Sequence, residues 1–297
     1  MKILIIGSEG FIGGHAKQYF SSSNEVWGAD IQEKVNEAFY FQLETSDSRF
    51  DTIFENVKFD VCINASGNGS VPISLNKPVF DFELNVTNTI KILDAIRIYN
   101  PECKYINMSS AAVYGNPAVL PIKEFSDLKP LSPYGWHKLY AEQVCKEYYY
   151  LYNIQTINLR LFSVYGENLR KQLFWDLYHK CLHTSQVELF GSGKETRDFI
   201  YINDLMRAID CVIKEGLFNG EAINVASGIE TEIKKAATIF INEIDANIDL
   251  KFNMIVKPGD PLNWRADISL LESFGFKNEI SIENGLKRTV EWLKEKK

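Results

Sequence analysis

The sequence predicts an α/β fold built on a doubly wound parallel sheet. Three observations carry this. Lys2-Ile3-Leu4-Ile5-Ile6 is a continuous, largely β-branched apolar run, the way a strand buried on both faces of a parallel sheet reads. It leads straight into a glycine-spaced turn, Gly7 to Gly13, followed by a helical stretch to about Tyr19. Strand-like and helix-like segments then alternate as far as about residue 162, the order that gives parallel strands joined by crossover helices. Beyond that point the regularity loosens, without an internal repeat, linker or low-complexity tract.

The length of 297 residues suits one large α/β domain or two unequal lobes, and a 45% hydrophobic composition supplies a sizeable core. A net charge of −7 argues against nucleic acid as the main partner. Five cysteines, Cys62, Cys103, Cys145, Cys181 and Cys211, are scattered with no CxxC pair. That pattern reads as reduced thiols in a cytoplasmic protein. The short apolar run at residues 1–6 is too short for a signal peptide or a membrane span, so no membrane partner is expected. Without a secretion signal, the glycosylation-like triplets at Asn85 and Asn107 carry no weight.

The glycine turn is the first functional signal. Gly7, Gly10 and Gly13 let the backbone approach a pyrophosphate, with Phe11 and Ile12 opening a helix whose free N–H groups and dipole favour an anion. Glu25 to Asp30 reads as the second strand, ending in an acid 17 residues beyond Gly13. A carboxylate there accepts from the ribose hydroxyls of a dinucleotide and repels a 2′-phosphate, which favours NAD over NADP. Phe59 to Asn64 reads as another buried strand, followed by the small residues Ala65, Ser66 and Gly67, which permit close approach of a ligand. Val79 to Tyr99 has helical spacing, and Cys103 to Met108 is the next strand, running into Ser109 to Gly115.

Ser132-Pro133-Tyr134-Gly135-Trp136-His137-Lys138 carries the chemistry. Pro133 suits a first helical turn and Ser132 suits an N-cap. On that helix Tyr134 and Lys138 share a face. An ammonium beside a phenol favours the phenolate, so the pair is expected to form a general base with a lowered tyrosine pKa. The helix is expected to run to about Tyr152, its Tyr148–Tyr152 tail serving packing or a subunit interface, with a strand at Gln155–Leu159 after it. His179 and His183 lie four apart with Cys181 between them. No HExxH glutamate accompanies them, so packing is the default and no metal is expected.

These motifs, in this order, resemble the extended short-chain dehydrogenase/reductase family, in its nucleotide-sugar epimerase/dehydratase branch. The match spans nearly the whole chain. It takes in Gly7–Gly13 with Asp30, Asn85 to Thr89, Ser109 to Gly115, Tyr134 to Lys138, Arg160 to Gly166, Gly191-Ser192-Gly193 before Arg197 to Tyr201, and Pro258-Gly259-Asp260 before Ala266 to Ser269. The resemblance implies a Rossmann-type sheet domain over residues 1–162, to which about 198–228 return. A smaller, discontinuous α/β lobe, mainly 163–297, would hold a nucleotide-diphosphate sugar. It implies NAD as cofactor, with Asn85, Ser109 and Phe162 also against it. Tyr134 would be the base, Lys138 would bind the nicotinamide ribose, and Ser110 would hold the reacting oxygen. Ser163, Arg197 and Lys257 would meet the substrate. Helices near 79–99 and 134–152 resemble those that pair across a homodimer in this family.

Sugar 4,6-dehydratases carry an Asp-Glu pair after the Ser110 equivalent; here Ala111 and Ala112 stand in both places. Simple hydride chemistry at one carbon remains: C4 epimerisation, as in UDP-galactose 4-epimerases, or net reduction or oxidation with cofactor turnover. A non-catalytic NAD-binding regulator would not need the Ser110/Tyr134/Lys138 set. Ser163 stands where many epimerases have Asn, Glu167 where proline is usual, and the chain is shorter than a typical epimerase. Trp264, just before Ala266-Asp267, aligns with a wall of the sugar pocket and is expected to exclude an N-acetyl group at C2.

Overall fold

A computed structural model describes residues 1–34, 37–44, 48–255 and 261–295. Lys257 and the Pro258-Gly259-Asp260 motif lie outside the described residues. The chain opens with β1 (Lys2–Ile6), α1 (Phe11–Phe20), β2 (Glu25–Asp30), β3 (Tyr40–Gln42), α2 (Phe50–Asn56) and β4 (Val61–Asn64). Then come α3 (Val71–Asn76), α4 (Pro78–Phe82), a π-helical turn at Glu83–Thr87, α5 (Asn88–Tyr99), β5 (Lys104–Ser110), α6 (Pro133–Tyr152) and β6 (Thr156–Leu161). The helix expected at 79–99 is therefore interrupted by the widened turn, which swings Asn85 inward to a buried position.

After β6 the chain forms β7 (Ser163–Tyr165), α7 (Gln172–Cys181), β8 (Gln186–Leu189) and β9 (Thr196–Tyr201). Next are α8 (Ile202–Glu215), β10 (Asn219–Val225), β11 (Glu230–Glu232), α9 (Ile233–Ile244), β12 (Asp249–Phe252), α10 (Ser269–Ser273) and α11 (Ile282–Glu295). Seven strands form one sheet in the order β10-β6-β5-β4-β1-β2-β3, all of them parallel. β9 pairs instead with β7 and β11 in a separate three-stranded sheet, so the chain re-enters the large layer at α8 and β10. The strand order reverses between β1 and β4, where an open α/β sheet leaves a crevice at its carboxyl edge.

The apolar run of β1 works on two faces at once. Ile3 and Ile5 belong to one core, which continues through α8 and β10 into the small lobe as far as Leu293. Leu4 and Ile6 belong to another, beneath α2, α5 and α6. That is why the strand reads as unbroken hydrophobicity rather than alternation. Five free cysteines are spread over the fold; Cys62, Cys103 and Cys145 are buried.

The lobe is pinned by Asp198 of β9, which has no solvent exposure. Its carboxylate accepts from Ser227 N–H (2.8 Å), Ser227 Oγ–H (2.7 Å), Gly228 N–H (3.1 Å) and Ala266 N–H (3.1 Å). One carboxylate thus gathers three separate chain segments. Asp198→Asn turns an N–H group onto donors and should lower unfolding stability by about 3 kcal/mol in urea denaturation. A loss under about 0.5 kcal/mol, the range of ordinary surface changes, would mean that Asp198 does not hold these segments together.

Candidate active site

A cleft of about 1050 Å³ opens where the carboxyl ends of the sheet strands face the small lobe. Its sheet side begins at the glycine turn. Gly7 has φ +81°, a conformation that suits glycine, and a Cβ on Gly13 would stand 2.0 Å from Gly7 O. Gly10 caps α1 without any side-chain hydrogen bond, so the first-turn N–H groups beside Phe11 and Ile12 face the cleft uncapped. Across from them Ala65, Ser66 and Gly67 line the same cleft. A Cβ on Gly67 would meet the buried Asn85 Oδ1 at 2.5 Å, so Asn85 supports this loop from below. Asp30 closes β2 and accepts from Glu9 N–H at 2.9 Å, which ties the acid to the glycine turn. These features fit a dinucleotide: a backbone free to approach phosphates, a bare helix start for negative charge, and a carboxylate at the second strand's end.

Ser110, Tyr134 and Lys138 converge further along the cleft. The sequence builds the helix start that places them. Ser132 Oγ accepts from Gly135 N–H at 3.2 Å, and Pro133 occupies the first turn. Ser110 ends β5 and accepts from Ala112 N–H at 3.2 Å, which fixes its side chain at the cleft floor. The Ser110 hydroxyl is near enough to the Tyr134 phenol to act on its charge. Lys138 Nζ donates to Met108 O at 2.8 Å and lies 5.9 Å from the centre of the Tyr134 ring.

The electrostatics differ from the expected lowered tyrosine. Burial pushes the Tyr134 phenol up; the nearby Ser110 hydroxyl opposes this, and the Asp81 anion adds to it. Burial also lowers Lys138 to about 8, with Asp81 holding it up and Lys171 pushing it down. Both groups are drawn towards neutrality because leaving water penalises the charged form of each.

Asp81, a residue sequence reasoning missed, is the fully buried charge here. It accepts from His137 Nδ1 (2.5 Å), Asn68 Nδ2 (2.5 Å) and Asn85 Nδ2 (3.2 Å). The helical sequence Pro78 to Phe82 gives no local sign of it, because the partners come from three other segments. Ser109 lines the cleft, and its hydroxyl donates to Glu142 at 2.5 Å. Phe162 reaches the cleft too, edge-on to Trp264 with ring centres 5.8 Å apart.

On the lobe side the cleft meets Ser163, Arg197 and Trp264. Arg197 donates to Thr196 O at 2.8 Å, and its guanidinium lies 5.6 Å from the Trp264 ring centre. Trp264 is nearly enclosed, and its indole N–H donates to Gly115 O at 3.0 Å. It is thus a fixed wall joining the lobe to the segment after Ser110. Lys171, also missed, lines the cleft from just before α7. His179 packs on Trp175 with ring centres 4.4 Å apart. Among the described residues no group of three His, Cys, Asp or Glu is placed to hold a metal ion.

Residues 3–226 match the sequence model of the NAD dependent epimerase/dehydratase family. The chain belongs to this family. Within it, the chain is 32% identical over 306 residues to a putative UDP-glucose 4-epimerase of Methanocaldococcus jannaschii, covering 98% of each chain. Two solved structures of the same fold superpose closely. One is a UDP-glucuronic acid 4-epimerase from Bacillus cereus in complex with UDP-glucuronic acid and NAD, with TM-score 0.89, 26% identity and all of both chains covered. The other is a UDP-N-acetylglucosamine 4-epimerase from Methanobrevibacter ruminantium in complex with UDP-N-acetylmuramic acid, with TM-score 0.89, 25% identity and 100% and 99% coverage. This family member is an enzyme of the nucleotide-sugar epimerase branch of the extended short-chain dehydrogenases, with NAD as its cofactor.

The buried charges set a prediction. In the NAD-free protein, Lys138 should titrate near pH 8 in NMR of reductively methylated lysines, well below the surface lysines. Asp81→Asn removes the anion that holds the ammonium charged and should move that titration lower. An unchanged or higher midpoint would mean Asp81 does not act on Lys138.

Proposed function

We propose that this protein is a UDP-sugar 4-epimerase, inverting C4 of a nucleotide-linked hexose through a 4-keto intermediate, with Tyr134 as base. The observation that carries this is the convergence of Ser110, Tyr134 and Lys138 in one cleft, beside Ala111 and Ala112. The Ser110 and Tyr134 hydroxyls can hold one alcohol oxygen and move its proton; alanines at 111 and 112 supply no acid or base for elimination. Relatives named as UDP-sugar epimerases extend the reading to uridine.

Tyr134 takes the proton from the sugar O4, and Ser110 holds that oxygen as it becomes a carbonyl. Lys138, carrying its charge below about pH 8, steadies the phenolate that Tyr134 must form against burial. The chemistry NAD would supply when bound is that of a hydride acceptor and donor at C4. For C4 to invert, the planar 4-keto sugar must turn its other face to the returning hydride; Tyr134 then gives its proton back to O4, so the protein ends each cycle unchanged. Gly7, Gly10, Phe11, Ile12 and Gly13 would bind the pyrophosphate. Asp30 would bind the adenosine ribose and disfavour NADP. Ala65, Ser66, Gly67, Asn85, Ser109 and Phe162 would flank the rest of the cofactor. In this reading residues 1–162, with about 198–228, serve the cofactor.

The remaining lobe serves the sugar nucleotide through Ser163, Arg197 and Lys257. Arg197 suits the diphosphate, since guanidinium donors match phosphate oxygens. Trp264, fixed by Gly115, would close the wall to a C2 acetamido group and favour a plain hydroxyl. The enzyme would work in the cytoplasm, where its free thiols stay reduced. No helix among the described residues is long and apolar enough to cross a membrane.

The test is isomer exchange. Purified protein should equilibrate a UDP-hexose with its C4 epimer without added cofactor. Tyr134→Phe should lower kcat by about 10²–10⁴, the usual worth of a positioned base, with melting temperature and NAD content unchanged. Stoichiometric NADH or NADPH consumption would make the enzyme a ketoreductase instead, and wild-type turnover in the variant would unseat Tyr134.

A second expectation concerns assembly. Val79, Ile90 and Ile98 on the 79–99 segment, and Trp136 and Tyr140 on α6, are exposed. An exposed apolar face of this kind marks an association surface. The protein is expected to be a homodimer through these helices. Light scattering at micromolar concentration should give twice the chain mass; a monomeric mass would refute it.

A further inference from the structure

Lys171 has no part in the chemistry just derived, yet it projects into the same space. It precedes α7 on the lobe side, and its Nζ lies 3.3 Å from where a Cβ on Gly69 would stand, on the loop that follows β4. The side chain therefore spans the cleft from lobe to sheet layer, in the cavity that Tyr134 and Lys138 line. No described residue gives it a hydrogen bond or an ion pair. Two acids line the same cleft, Asp176 and Glu195, and neither pairs with it. Glu195 is turned back on its own loop, accepting from Ser192 N–H (2.9 Å) and Gly193 N–H (2.9 Å). Lys171 is also close enough to Lys138 for the two cations to oppose each other.

Two ammonium groups in one cleft, one of them with no counter-ion among the described residues, call for an anion on the ligand. The position of that anion rests on the epimerase reading. Ser110 and Tyr134 hold O4, so the nearest other substituents are those on C3 and C5. On a hexose the arm at C5 is the one that becomes an acid by oxidation alone, with the ring carbons unchanged. We propose that Lys171 recognises a carboxylate at C6, and that the substrate is a UDP-linked hexuronic acid. The ion pair would neutralise the Lys171 ammonium and relieve Lys138. A hexuronic acid with a plain C2 hydroxyl also passes the wall that Trp264 forms.

The test uses NAD-loaded full-length protein and reads binding separately from turnover. Calorimetry should give UDP-glucuronate at least about tenfold tighter than UDP-glucose, in keeping with a charge-assisted pair. Lys171→Gln should erase that preference while leaving the affinity for UDP itself unchanged. Lys171→Arg should restore most of it. Three outcomes overturn the proposal: wild type that prefers UDP-glucose or does not discriminate, a preference that survives Lys171→Gln, or a parallel loss of UDP affinity, which would assign Lys171 to the diphosphate. Isomer exchange is followed in the same samples. If the carboxylate preference holds but neither sugar nucleotide is epimerised, the epimerase reading fails and the recognition stands. If neither sugar nucleotide binds, both fail.

Discussion

A buried ion pair between Arg160 of β6 and Glu142 of α6 organises the catalytic half of this molecule. The guanidinium meets the carboxylate through Nε (2.9 Å) and Nη2 (2.7 Å), both side chains almost wholly out of water. Charges so placed are tolerable only when every remaining donor and acceptor is used. Here they are shared outward. Glu142 also accepts from Ser109 of β5, and Arg160 Nη1 donates to Tyr114 Oη (2.8 Å) and Glu124 O (2.7 Å). Tyr114 donates to Asn224 of β10, whose amide donates in turn to Ile122 O and Asp267 O. The pair fixes the height and rotation of α6 against the sheet. Tyr134 and Lys138 lie on that helix, so the geometry of the reacting groups is set by a contact they do not make.

The elements that could be read in the chain are those whose signals are local. β1 declares itself because two cores need it, and α6 because Ser132 and Pro133 build its start within four residues. The glycine turn is legible for the same reason: Gly7 and Gly13 are near in sequence and touch in space. β3, with three residues, and β10, which joins the large sheet after a long excursion through the lobe, carry no comparable local mark. The helix at 79–99 keeps helical spacing through the π-turn, since one extra residue in a turn barely disturbs an apolar stripe.

The site divides along the same line. Tyr134, Lys138 and Ser110 are adjacent motifs, and the fold brings them together. Asp81 and Lys171 are single residues whose surroundings are assembled from distant segments, so nothing beside them in the sequence announces a role. The pKa of Tyr134 shows the limit of reasoning from spacing. A lysine four residues on argues for a lowered value, but spacing says nothing about how much water the phenol loses, and burial prevails.

The reach of the Arg160 network has a consequence for how the chain is made. Its members run from Ser109 to Asp267, so a nascent chain that has already produced β1, β4, β5 and β6 still lacks the groups that satisfy Tyr114 and close the open edge of β6. Until β10 emerges, that edge offers unpaired backbone along the length of β6. A ribosome adding residues at about 5–20 per second leaves it open for seconds. The sheet is then a template without its last strand, at the stage when a neighbouring nascent chain or a chaperone competes for it.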